Sequence, residues 1–215
     1  HRQLHALDAE AERAPGAPKN EPRAIASEPE TPLESHVVFE PEALRALAAR
    51  IQETGKVAVQ CQSVRAESAI SDLVGSALSP APSEAYYVPL AHRALGTPKQ
   101  LSLEVVREVL GPCLGNPNVA KVAHCLKREH VALRWNGVPF AGGCGDAELE
   151  SYLLDPEARH DLATIAEREL GLVLGGRAEL EKPARGKRVE LDQLPLDEVA
   201  RFATASGEAL LRAES

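Results

Sequence analysis

Residues 57 to 63 read VAVQCQS, and their alternation constrains the fold more than any other stretch of the chain. Val57, Val59 and Cys61 fall on one side and Ala58, Gln60 and Gln62 on the other, the period of two that belongs to a β-strand. Gly55 bounds this strand upstream and stops a helix whose residues Leu44, Leu47, Ala48 and Ile51 share one face. Pro41 suits the first turn of that helix, and a short strand over Val37, Val38 and Phe39 precedes it. Downstream, residues 70–92 predict two further strands joined by a Pro-Ser turn within SPAPSE. A helix over 102–114, with Leu103, Val106 and Leu110 apolar, leads to a short strand in VAKVAHCL. The remaining chain is helical: KREHVALRWNG closed by Gly137, DAELESYLLDP, HDLATIAERELGL and LDEVARFATASGEALLRAE. Strands first and helices later predict an α/β arrangement with helices packed on one mixed sheet.

Composition sets the boundaries. Hydrophobic residues make up 44% of the 215, enough for a substantial core, but aromatics are only 3%, so Leu, Val and Ala must build it. Residues 1–35 hold five prolines, many Ala and Glu and no aromatic, the composition of a linker with room for one short helix over residues 1–13. The folded domain is expected over 36–215. With no Met and with His1 at its start, the chain is expected to be a piece of a longer product. No apolar run approaches the roughly 20 residues of a membrane span, so no membrane partner is expected. Four cysteines without Cys-x-x-Cys spacing read as reduced thiols in a cytoplasmic setting. A net charge of −8 argues against tight unaided binding to nucleic acid, whose affinity comes largely from neutralised phosphates.

Several segments in register resemble the proofreading 3′–5′ exonuclease domain of bacterial DNA polymerase I. VAVQCQS stands where that family has a strand ending in Asp-x-Glu. SDLVGSALSPAPSEAYYVPLAH is similar to its hairpin, with the tyrosines and the Pro-Leu-x-His ending. VAKVAHCLKRE resembles its strand-to-helix segment, GDAELESYLLDP its Phe-Asp-Thr helix, and GKRVELDQLPLDEVARFATASGEALL its closing helix. The likeness runs from about residue 36 to the C-terminus, and the proline-rich start is similar to the family's preceding linker. It implies a ribonuclease H-like 3′–5′ exonuclease fold, a mixed β-sheet flanked by α-helices. It also implies DNA as a partner, a polymerase domain downstream in the same parent chain, and a monomer. The implied chemistry is hydrolysis by two Mg²⁺ ions about 3.5–4 Å apart. Ions that close repel, and magnesium prefers hard charged oxygens, so the site needs several carboxylates.

Carried over position by position, the family's first Asp and Glu fall on Gln60 and Gln62, and its next Asp on Glu129. Its Tyr and last Asp fall on Phe202 and Ser206. Amides keep the outline of carboxylates without their charge, Phe202 lacks the hydroxyl that orients water, and Ser206 is short and neutral. The expectation is a degenerate domain with a structural or DNA-positioning role, no intact catalytic residue and no bound metal. A weakly active metal-dependent exonuclease acting on single-stranded ends through Glu129 is the alternative. A relocated acidic site at Asp146, Glu148 and Glu150 competes with a solvated helix start, where acids favour the positive end of the dipole, and the weight falls on the latter. Zinc at Cys61, His124, Cys125 and Glu129 competes with space-filling thiols, which the spacing favours. Trp135 is expected in the core. Arg177, Lys182, Arg185, Lys187 and Arg188 lie in a loop punctuated by Gly and Pro, read either as a track for a DNA backbone or as a solvated loop diluted by Glu179, Glu181 and Glu190.

Overall fold

The computed structural model describes residues 32–65, 70–182 and 189–214. All but the last four residues of the expected linker therefore lie outside the described residues. Strand β1 (Glu34–Val37) leads into helix α1 (Pro41–Thr54), strand β2 (Lys56–Ser63) and the hairpin of β3 (Leu73–Ala81) and β4 (Glu84–Pro89). Helix α2 (Leu103–Leu114), strand β5 (Ala120–Ala123), helix α3 (Leu126–Trp135) and strand β6 (Gly143–Asp146) complete the sheet region. Helices α4 (Ala147–Leu154), α5 (Leu162–Leu170), α6 (Arg177–Leu180) and α7 (Leu196–Ala213) follow, with a 3₁₀ turn at Leu191–Gln193. Among the described residues no helix is long and apolar enough to cross a membrane.

The sheet runs β1-β4-β3-β2-β5-β6, with β2 antiparallel to β3 and parallel to β5. The alternation in β2 decides what each face meets. Val57, Val59 and Cys61 join the larger core with Leu44, Leu47 and Ile51 of α1 and Val106 and Leu110 of α2. Ala58 faces the other way, onto Leu210 and Leu211 of α7. On that second face Ala77 of β3 clusters with Ala200 and Ala203 of α7, and α7 packs across β3, β2 and β4. Burial of such apolar surface stabilises by about 25 cal/mol per Å². Helices therefore cover both faces of the sheet.

Local signals act where the sequence places them. Gly55 takes a left-handed φ of 67° and its N–H reaches Ile51 O at 3.0 Å, ending α1. The β3–β4 turn is the Pro82–Ser83 pair, with Ser83 at φ 61°. Three expectations need correction. The first strand is Glu34–Val37 rather than Val37–Phe39; its four residues pair in register with Glu84 through Tyr87, so β4 sets its limits. Strand β6 went unread because Gly143–Asp146 contains two glycines and no β-branched residue; its pairing with β5 makes the strand. Trp135 is 61% exposed, not core. It lies two residues, about 200° of helix, beyond buried Leu133, and therefore points away from the sheet.

Candidate functional site

The parallel pairing of β2 with β5 ends at Ala58 and Val122, where β5 gives way to α3. Beyond that point the edge of β2 faces the first turn of α3, and this junction makes a cleft. Gln60, Cys61, Gln62, His124, Cys125, Arg128, Glu129, Arg177 and Phe202 line a cavity of about 250 Å³. An adjoining cavity of about 170 Å³ shares Gln60, Arg177 and Phe202 and adds Ser206. All five positions carried over from the sequence, Gln60, Gln62, Glu129, Phe202 and Ser206, thus converge from β2, α3 and α7.

Glu129 is the carboxylate among those five, and its surroundings define its chemistry. It is 6% exposed, and its Oε2 accepts the Cys61 backbone N–H at 2.7 Å, an edge amide beyond the last β2–β5 pair. Burial raises its pKa to about 6, with the Cys61 contacts and Arg128 pulling the other way. Burial, followed by the charge of Glu129, holds the Cys61 thiol well above the ordinary range, so it stays protonated. Ser76 Oγ meets its sulfur at 3.7 Å. Burial likewise raises Cys125. His124 Nε2 donates to the His160 carbonyl at 2.5 Å.

Asp146 has both oxygens engaged: Oδ1 accepts Leu149 N–H at 3.3 Å and caps α4, while Oδ2 accepts Leu126 N–H at 2.9 Å. Glu150 Oε1 in turn accepts the Asp146 N–H at 3.1 Å. These acids serve helix starts, as the dipole argument favoured. Among the described residues no three His, Cys, Asp or Glu side chains converge as a metal-holding group.

The basic cluster divides. Arg177 is not in a loop but opens helix α6, and its side chain is 15% exposed against the cleft. Its Nε donates to Glu181 Oε1 at 2.7 Å and its Nη2 to the Val64 carbonyl at 3.0 Å. Lys182 is at the surface, 3.8 Å from Glu179. Arg185, Lys187 and Arg188 lie outside the described residues. Arg128, which sequence reasoning passed over, is exposed in the first turn of α3 at the mouth of the cleft. Its adjacency to Glu129 was the available signal.

No family model matches the chain. A DNA polymerase I of Pseudomonas aeruginosa is 30% identical over 192 residues, covering 86% of this chain and 21% of that protein. The chain belongs to the 3′–5′ exonuclease-like domains of DNA polymerase I. It spans about a fifth of the length of that relative. Solved structures agree on the fold. The POL domain of Pol1 from M. smegmatis, in complex with DNA primer-template and dNTP, superposes with a TM-score of 0.60 at 20% identity, over 82% of this chain and 26% of that one. The RNase D of Trypanosoma brucei gives 0.65 at 16% identity, over 85% and 64%. At such identities the likeness establishes the fold alone, the ribonuclease H-like fold of these exonuclease-like domains.

Proposed function

We propose that this DNA polymerase I exonuclease-like domain is catalytically degenerate and serves as a scaffold that positions DNA beside a polymerase domain of the same parent chain. The observation that supports this most is the donor set of the cleft. Where the family's chemistry needs several carboxylates, two positions are amides, one is Phe202, one is Ser206, and Glu129 is already bonded to a backbone amide. Two divalent ions at about 3.5–4 Å repel strongly, and magnesium sheds water reluctantly for neutral ligands. A single buried carboxylate that prefers its proton up to about pH 6 does not fit that pair. No hydrolytic step is therefore assigned to this cleft. A cytoplasmic setting and a monomeric state accompany the proposal.

The test is direct. The domain is incubated with a 3′-labelled single strand in magnesium or manganese, and no shortening above background is expected. Metal-dependent shortening that Glu129→Ala abolishes would sink the degenerate reading and restore a weakly active exonuclease.

A further inference from the structure

Trp135, the single tryptophan of the chain, ends α3 in an exposed position. It lines an open cavity of about 620 Å³ beyond the ends of β2 and β4, together with exposed Ile70. That volume is within the range of small-molecule sites, ~300–1,000 Å³. No residue of this cavity lines the two cavities of the cleft. A broad aromatic surface left in water inside a concavity, with a second exposed apolar side chain beside it, marks a recognition surface.

The walls are held in place. Asn136 Nδ2 donates to the Ser71 carbonyl at 3.0 Å and its Oδ1 accepts the Leu73 N–H at 3.4 Å, which ties the backbone beside Trp135 to the start of β3. Gln100 clamps His92: its Oε1 accepts the His92 N–H at 2.8 Å and its Nε2 donates to the His92 carbonyl at 2.9 Å. A surface ordered before binding loses little entropy on binding. Two buried polar atoms of the wall residues have no hydrogen-bond partner among the described residues, Asp192 Oδ1 and His92 Nδ1. The other polar atom of each is engaged: Asp192 Oδ2 accepts Arg93 Nε–H at 2.5 Å, and His92 Nε2 is 2.8 Å from the Tyr87 hydroxyl. A carboxylate oxygen takes a donor, and an imidazole nitrogen takes a donor or an acceptor according to its tautomer. The edge of a nucleobase carries both, next to a flat face that stacks on an aromatic ring. The charges lining the cavity balance, Arg65 and Arg93 against Asp72 and Asp192, so affinity here must come from stacking and hydrogen bonds rather than from neutralised phosphates.

We infer that this cavity takes one unpaired nucleobase, stacked on Trp135 with its edge toward Asp192 and His92. The inference rests on the DNA-positioning reading and adds to it a contact site apart from the cleft, six residues or about 9 Å along α3 from Glu129. Free nucleosides and single strands present the same ring, and separate titrations tell them apart.

The experiment uses the whole 215-residue chain in EDTA, with the fluorescence of Trp135 as the reporter, since the chain has no other tryptophan. It is titrated separately with a short deoxycytidine strand, an abasic strand of the same length and free deoxycytidine. Saturable quenching is expected with the base-bearing ligands and none with the abasic strand. Raising the salt from about 50 to about 200 mM should weaken strand binding by about threefold or less, the slope of roughly one single-strand phosphate. Binding of a labelled strand, followed by anisotropy, should weaken about tenfold in Trp135→Ala and be largely kept in Trp135→Phe, which retains a ring. The exposed position lets both variants fold. Tighter binding of the strand than of deoxycytidine would assign the pocket to single strands, and the reverse to free nucleosides. Equal quenching by the abasic strand, or a strand that binds without quenching and is unaffected by Trp135→Ala, would overturn the base pocket while leaving the DNA-positioning reading intact. Shortening of the strand when magnesium replaces EDTA would instead overturn the degenerate reading.

Discussion

Replacing Glu129 by Gln should stabilise the domain above neutral pH and leave it unchanged in acid. Burial holds the carboxyl pKa at about 6 against an ordinary 4.5. A folded-state value above the unfolded one means that the protonated form is favoured by folding. Its stabilisation is full below about 4.5 and is lost as pH rises through about 6. At 1.36 kcal/mol per pH unit, the ionised Glu129 costs the native state about 2 kcal/mol relative to its protonated form. Glutamine cannot ionise, and its carbonyl can still accept the Cys61 N–H that Oε2 accepts now. Urea unfolding of both proteins at pH 4.5 and pH 8 should show Glu129→Gln more stable by about 2 kcal/mol at pH 8 and equal at pH 4.5. Taking the difference between the two proteins cancels other titrations, such as that of His92, whose pKa burial lowers to about 4. A difference independent of pH would refute the reasoning, as would a variant less stable at pH 8. Either result would mean that Glu129 gains more from ionised contacts than burial takes away.

Two further outcomes follow from the packing. Trp135→Ala should change stability by no more than about 0.5 kcal/mol, as for an exposed side chain, whereas a core tryptophan would cost about 3–5 kcal/mol; urea midpoints distinguish the two. Tyr87→Phe should destabilise by about 1–3 kcal/mol, because the buried Tyr87 hydroxyl is 2.8 Å from Nε2 of His92 and its loss leaves a buried ring nitrogen unpaired; thermal or urea unfolding measures it.

The parts of the fold that could be read in the chain were those written in local periodicity. The alternation of Val57 through Gln62 placed β2, and Gly55 and Pro41 delimited α1, because strand period and helix caps are properties of neighbouring residues. Strand β6 was hidden because its Gly-Cys-Gly-Asp composition has no strand preference; only β5 beside it makes it a strand. The convergence of Gln60, Gln62, Glu129, Phe202 and Ser206 came from family resemblance rather than spacing, and the cleft brings all five together. The place of Arg177 was beyond reach of the sequence. A basic residue after Gly175 and Gly176 reads as solvated loop until Glu181 and the Val64 carbonyl draw it inward. The role of Glu129 as an acceptor for the edge of β2 was equally hidden, since it depends on β5 ending before β2 does.

The central claim is that this cleft does not hold a pair of divalent cations, and manganese binding tests it most directly. Electron paramagnetic resonance counts bound Mn²⁺ per chain, with the variant carrying Gln60→Asp, Gln62→Glu, Glu129→Asp, Phe202→Tyr and Ser206→Asp as the reference with acids restored. The unaltered domain should bind no Mn²⁺ that Glu129→Ala removes, while the restored variant gains bound metal. Two Mn²⁺ ions per unaltered chain, released by Glu129→Ala, would contradict the account.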